Sequence, residues 1–159
     1  PQNISYGKSK LPARVQEISQ IFKVQRIIDG DTFTLSNDER VRLIGIDTPE
    51  SRPNQKLYRD VKRTGQDINA ITAMGKEATK ITRQLLEGKR VKLEFDINPR
   101  DRYGRLLAYA YLEDGTFVNA EIIKAGYAQV MTVPPNVKYQ HLFLELQKEA
   151  RESQKGLWK

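Results

Sequence analysis

VRLIGIDTPESR, residues 41–52, starts as a strand, with apolar residues at 41, 43, 44 and 46, yet it carries Arg42 inside the run and closes on Asp47 and Glu50. Burying an unpaired charge costs several kcal/mol, on the order of the whole stability margin of a domain. These charges must therefore be met by another part of the protein or by a ligand. Upstream, IFKVQRI (21–27) and TFTLS (32–36) are strand-like, while DGD (29–31) and SNDE (36–39) read as turns. With RVRLIGI (40–46) they make a meander of three strands.

Further along, Met74, Ala78, Ile81 and Leu85 recur at helical spacing, which predicts a helix over 74–87 stopped by Gly88. RVKLEFD (90–96) and RLLAYAYL (105–112) read as strands separated by the loop INPRDRYG (97–104). A short helix over 118–125 ends at Gly126, and a last helix over 138–154 places Tyr139, Leu142, Phe143, Leu146 and Ala150 on one stripe. Three strands, a helix, two strands and two helices pack most economically as a closed sheet with helices filling its ends. The predicted fold is α+β, mainly β: a five-stranded oligonucleotide-binding (OB-fold) barrel with three helices.

At 159 residues, 38% hydrophobic and 30% charged, the chain suits one globular domain. Residues 1–19 mix Pro, Gly, Ser and Lys without periodicity and read as a flexible basic lead-in, leaving 20–159 as the folded domain. Lys and Arg outnumber Asp and Glu by 27 to 20, a net charge of +7 that favours polyanions such as nucleic acid or anionic membrane surfaces. No apolar run approaches the roughly 18 residues that a spanning helix needs. No signal peptide is visible, and the opening on Pro1 rather than Met reads as a trimmed or mature form. Zero cysteines removes disulfides and thiolate chemistry, and with a single histidine a zinc site is disfavoured.

Three segments put charges where apolar residues would be expected: Asp29-Gly30-Asp31, then Arg42 with Asp47 and Glu50, then Asp101-Arg102-Tyr103-Gly104-Arg105. Taken singly, each has a structural reading as a turn, a cap or a surface ion pair. Together they suggest metal-assisted phosphate chemistry. Hard cations take carboxylate and carbonyl oxygens, and guanidinium forks match phosphate oxygens. Strand parity raises an objection, since Arg42 and Asp47 are five positions apart and would face opposite ways in an unbroken strand. They can share a site only if the chain bends, and Gly45 permits a bulge or sharp coil between them.

IDGDT (28–32), VRLIGIDTPE (41–50), DRYGR (101–105) and GLW (156–158) closely resemble the staphylococcal nuclease (thermonuclease) family, in register from about Ile21 to Trp158. The resemblance implies a calcium-dependent endonuclease acting on DNA and RNA, preferably single-stranded or denatured, and leaving 3′-phosphate ends. It also implies a monomer, secreted or at the cell envelope, with no membrane partner. Matched motif by motif, Asp31 and Asp47 would be calcium carboxylates, with the Thr48 carbonyl a further ligand. Asp29 would stand behind them. Arg42 and Arg105 would bind the phosphate, Glu50 would act as general base, and Arg102 and Tyr103 would contact substrate.

Two departures from the family pattern are visible. MTVPPNVKY (131–139) has Thr132 and Pro134 where tyrosines often pack against the nucleotide. The segment from Ser51 to Ala73 is longer than usual and adds Arg52, Lys56, Arg59, Lys62 and Arg63 beside the site. His141 sits among apolar residues with no carboxylate beside it in sequence and reads as packing or surface. Tyr109 and Tyr111 have strand spacing and read as barrel wall. The rival reading is a catalytically inactive OB-fold that binds nucleic acid without cutting it, which would also explain the charge. Retention of Asp31, Arg42, Asp47, Glu50 and Arg105 together argues against that rival.

Overall fold

The alternation at 21–46 folds as the expected antiparallel meander: β1 (Ile21–Asp29), β2 (Thr32–Leu35) and β3 (Arg40–Leu43). The structure is a computed structural model that describes residues 21–52, 58–59, 61–62, 65 and 67–159. The expected lead-in over 1–19, together with Lys56 and Arg63, lies outside the described residues.

A separate strand, β4 (Gly45–Asp47), follows β3, because Gly45 takes φ +83° and turns the chain out of the barrel. A Cβ at Gly45 would lie 2.6 Å from the Phe143 ring, so both the turn and the packing require glycine. The bend is pinned from outside the sheet. Asn119, fully buried, donates from Nδ2 to the Ile44 carbonyl at 2.9 Å and accepts the Ala110 N–H at 3.0 Å.

Helix α1 (Ile68–Leu86), β5 (Arg90–Glu94) and β6 (Leu106–Leu112) complete the sheet in the order β1-β2-β3-β6-β5, closed through β5 and β1. This is the expected five-stranded barrel, and closure leaves no open edge in it. β3 and β6 run parallel, with Val41 opposite Leu106 and Leu43 opposite Ala108. Phe33, Leu35, Val41, Leu43, Val91, Leu93 and Ala108 fill the interior. Two further helices follow, α2 (Val118–Lys124) and α3 (Gln140–Glu152), with β7 (Gln129–Met131) between them and a 3-10 turn at Gly156–Trp158.

Three differences from the sequence reading have physical causes. β7 pairs with β4, and at three residues it is too short for its pattern to register. Helix α1 begins six residues before the predicted start at 74, and its buried face is Ile71, Gly75, Ala78, Thr79, Thr82 and Leu86. Two threonines enter that face because Thr79 Oγ1 donates to the Gly75 carbonyl at 2.9 Å and Thr82 Oγ1 to the Gly30 carbonyl at 2.6 Å. Leu142, expected on the inner stripe of α3, is exposed, while Phe143 and Ala150 are buried.

Candidate active site

Register puts the first arginine between two acidic segments. Arg42 on β3 lies opposite Thr32 on β2, and the Leu43 N–H donates to the Asp31 carbonyl at 2.9 Å. From this position the Arg42 side chain, only 14% exposed, points along the coil that follows. Its Nη1 donates to the carbonyls of Leu43 at 2.9 Å and Ile46 at 2.8 Å. Its Nη2 lies 3.5 Å from Asp31 Oδ2 and 3.6 Å from Asp47 Oδ1. The parity objection is thus met by the bend at Gly45, which returns Asp47 to the side that Arg42 faces.

Asp31 and Thr48 are both buried. The Asp31 carboxylate accepts the Thr32 hydroxyl at 2.9 Å and the Thr48 N–H at 3.1 Å, which fixes its orientation. The donor set is all oxygen, as a hard cation prefers. Among the described residues no group of three or more His, Cys, Asp or Glu side chains gathers closely enough to hold a metal ion. Asp31 and Asp47 are two carboxylates that both face Arg42, oxygen donors of the kind a hard cation prefers.

Glu50 sits half-buried in the coil after β4. Its neighbour Ser51 donates from Oγ to Asp29 Oδ1 at 2.8 Å, tying the coil to the end of β1. Burial pushes the Asp29 carboxyl above the usual range, partly offset by the Ser51 hydrogen bond and reinforced by the charges of Glu50 and Asp31. The raised value is mainly a mark of burial, with the neighbouring carboxylates adding to it.

Arg105, on the loop before β6, shares a cleft with Arg42 whose lining does not include Asp31, Asp47, Thr48 or Glu50. Since Leu107 pairs with Arg42, Arg105 lies two positions from a residue level with Arg42 and shares its face of the sheet. Arg42, Asp101 and Arg105 line a cleft of about 240 Å³ together with Met131, Val133, Pro134 and Pro135. Asp101 organises the loop. It accepts the N–H groups of Tyr103 at 2.9 Å and Arg105 at 3.0 Å on Oδ1, and Arg105 Nε at 2.7 Å on Oδ2.

Tyr103 is exposed and lies outside the cleft lining, with the guanidinium groups of Arg102 and Arg105 5.0 and 5.6 Å from its ring centre. Arg102 Nη2 also donates to the Tyr103 hydroxyl at 2.8 Å. Tyr109 is buried and Tyr111 partly so, and their hydroxyls donate to Asp96 at 2.7 Å and Glu94 at 2.9 Å, in keeping with a wall role. His141 is exposed and absent from the cleft lining. Arg52, Arg59 and Lys62 are exposed.

Sequence reasoning missed Met131, Pro135 and Asn136 as cleft residues. Asn136 is buried, donates to the Asn98 carbonyl and accepts the Asn98 N–H, both at 2.9 Å, which docks the loop after β5 against the segment after β7. Two asparagines 38 positions apart give no local signal of such a pair.

Residues 40–159 match the staphylococcal nuclease homologue family. A thermonuclease of Staphylococcus intermedius is 41% identical over 141 residues, covering 86% of this chain and 75% of that protein. A thermonuclease of Staphylococcus hyicus is 37% identical over 143 residues, 87% of this chain and 76% of its own. The endonuclease YncB of Bacillus subtilis is 34% identical over 141 residues, 85% of this chain and 60% of its own.

Proposed function

The chain belongs to the staphylococcal nuclease homologue family and is accordingly a nuclease; from that premise we propose that it hydrolyses phosphodiester bonds of DNA and RNA with calcium, leaving 3′-phosphate ends. The observation that carries this reading is the convergence of Asp31 and Asp47 on one guanidinium nitrogen, at 3.5 and 3.6 Å, beside the cleft that Arg105 shares. The Arg42 guanidinium offsets part of the repulsion between the two carboxylates, and a bound divalent cation would offset the rest.

Asp31, Asp47 and the Thr48 carbonyl would hold the calcium ion, which when bound supplies positive charge against a non-bridging phosphate oxygen. Arg42 and Arg105 bind the equatorial oxygens as phosphorus becomes five-coordinate, an interaction stronger in the transition state than in the ground state. Glu50 orients the attacking water and takes its proton. The water oxygen bonds to phosphorus, the P–O bond to the 5′ oxygen breaks, the leaving 5′ alkoxide takes a proton from solvent and departs as a hydroxyl, and the phosphate remains on the 3′ side. Arg102 and Tyr103, standing outside the cleft on the Asp101 loop, contact the neighbouring nucleotide rather than the reacting group. Open-ended, exposed basic residues such as Arg52 favour extended, single-stranded substrate.

The deciding experiment is degradation of denatured DNA by the purified protein with calcium, with magnesium and with chelator, followed by end-group analysis. Activity with calcium, poor activity with magnesium and none in chelator is the expected result, since magnesium demands tighter octahedral geometry. Full activity in chelator would overturn the assignment. Fragments that bind but are never cut would establish the inactive binding barrel instead.

A further inference from the structure

Glu50 lies in a coil, yet a general base must hold its carboxylate within hydrogen-bond reach of one water. The structure shows what the coil rests on. At Gly75, in the middle of helix α1, an added Cβ would lie 2.2 Å from the Glu50 carbonyl oxygen, 2.3 Å from the Glu50 carbonyl carbon and 2.6 Å from the Ser51 nitrogen. All three are main-chain atoms and cannot swing aside as a side chain would. Glycine is among the poorest residues for a helix interior, and this helix runs 19 residues, so its presence at this position needs a packing reason. The backbone there does not supply one, because Gly75 is absent from the positive-φ residues.

A second contact holds the same coil, the 2.8 Å hydrogen bond from Ser51 Oγ to Asp29. The Asp29 turn is in turn fixed to α1 through Thr82 Oγ1 and the Gly30 carbonyl at 2.6 Å. One helix therefore sets the height of both acidic segments, the turn that carries Asp31 and the coil that carries Glu50.

We propose that Gly75 is a positioning residue for Glu50: the bare helix surface at Gly75, with the Ser51–Asp29 hydrogen bond, fixes the coil that presents the base. The proposal rests on the assignment of Glu50 as base. A methyl group at Gly75 must push the coil outward by about 1 Å to restore van der Waals contact, and a displacement of that size at a reacting group can cost on the order of a hundredfold in rate.

The test is steady-state kinetics on a short single-stranded oligonucleotide at saturating calcium, with folding followed by circular dichroism. Gly75→Ala should lower kcat on the order of a hundredfold and leave KM within about threefold, because the phosphate-binding arginines stay in place. Combined with Glu50→Gln it should cost little beyond Glu50→Gln alone, since both changes remove the same interaction. Ser51→Ala should lower kcat on the order of tenfold, and Ser51→Thr, which keeps the hydroxyl, should restore it.

Wild-type kcat in Gly75→Ala, or fully additive losses in the double variant, would overturn the positioning role while leaving Glu50 as base. Near wild-type turnover in Glu50→Gln would overturn the base assignment itself and this proposal with it. If Gly75→Ala does not fold, the Ser51 pair decides: a loss in Ser51→Ala rescued by Ser51→Thr supports the proposal, and an unchanged kcat in Ser51→Ala overturns it.

Discussion

Arg42 and Arg105 border the same cleft but are mounted in opposite ways. Arg42 grows from a barrel strand, is 14% exposed, and spends one nitrogen on two backbone carbonyls while the other faces two carboxylates. Arg105 sits at the end of a loop, is 26% exposed, and is held through Nε by Asp101 at 2.7 Å, with its guanidinium 5.6 Å from the Tyr103 ring centre. The first is part of the fold as well as of the site, because the coil after β3 depends on it for satisfying the Leu43 and Ile46 carbonyls. The second is an attachment whose removal leaves the barrel intact.

The largest effect should come from Arg42→Lys. Lysine keeps the charge but has no fork, so it cannot serve both carbonyls and face both carboxylates at once. Turnover should fall by a hundredfold or more, on the order expected for losing a transition-state donor. Stability should fall by about 2 kcal/mol, since buried carbonyls lose a charged donor. Urea unfolding with an unchanged m-value measures the second loss and oligonucleotide hydrolysis the first.

Arg105→Lys should match that hundredfold loss of turnover but change stability by only about 0.5 kcal/mol or less, as a partly exposed ion pair warrants. Equal destabilisation in the two lysine variants would break the comparison, because it would show that the loop is as much a part of the fold as β3.

These contrasts also explain what the sequence made legible. The meander, the barrel and the bend at Gly45 follow from local pattern: alternation, turn residues, and a glycine between two charges that must face one way. The early start of α1 and its true inner face were hidden, because Gly75, Thr79 and Thr82 are poor helix or core markers until their partners are known. Those partners, the Glu50 coil and the Gly30 carbonyl, are distant in sequence. The same holds for Asn119 and Asn136, whose hydrogen bonds shape the cleft across 75 and 38 positions. The charged residues could be nominated from motif alone, whereas the helix surface that supports Glu50 could not.

A smaller effect sharpens the view of Arg105 as an attachment. Asp101 is subject to burial, which raises its pKa, but the Arg105 side chain, the Arg105 N–H and charge, and the Tyr103 N–H together outweigh this and hold it below the usual carboxylate range. A carboxylate lowered in the folded state adds stability that is fully present above its unfolded value, about 3.9, and is lost as pH falls through the lower folded value. Asp101→Asn should therefore be less stable than wild type at pH 6, with the gap closing as pH falls below the ordinary carboxylate range. Turnover at neutral pH should fall on the order of tenfold, because Arg105 keeps its fork but loses the group that aims it. A stability gap that persists unchanged into acid would mean that the loop is held by something other than this carboxylate.

The smallest effect is expected at His141, and it tests whether the comparison of two arginines has captured the site. Histidine is the residue most often found moving protons in catalysis, and this is the single one in the chain. Its position argues against that use. It is the second residue of α3, where it is exposed, and two positions on Phe143 turns inward to pack against Gly45. Residues two apart on a helix do not share a face, so the contact that anchors α3 beside the site carries His141 away from it. His141→Gln should accordingly keep turnover within about twofold of wild type at saturating calcium and substrate, the size of change ordinary for a surface substitution. If instead His141→Gln were inactive while Glu50→Gln retained its turnover, proton transfer would have to be reassigned to α3, and the division of labour between a strand-borne and a loop-borne arginine would describe binding but not the chemistry.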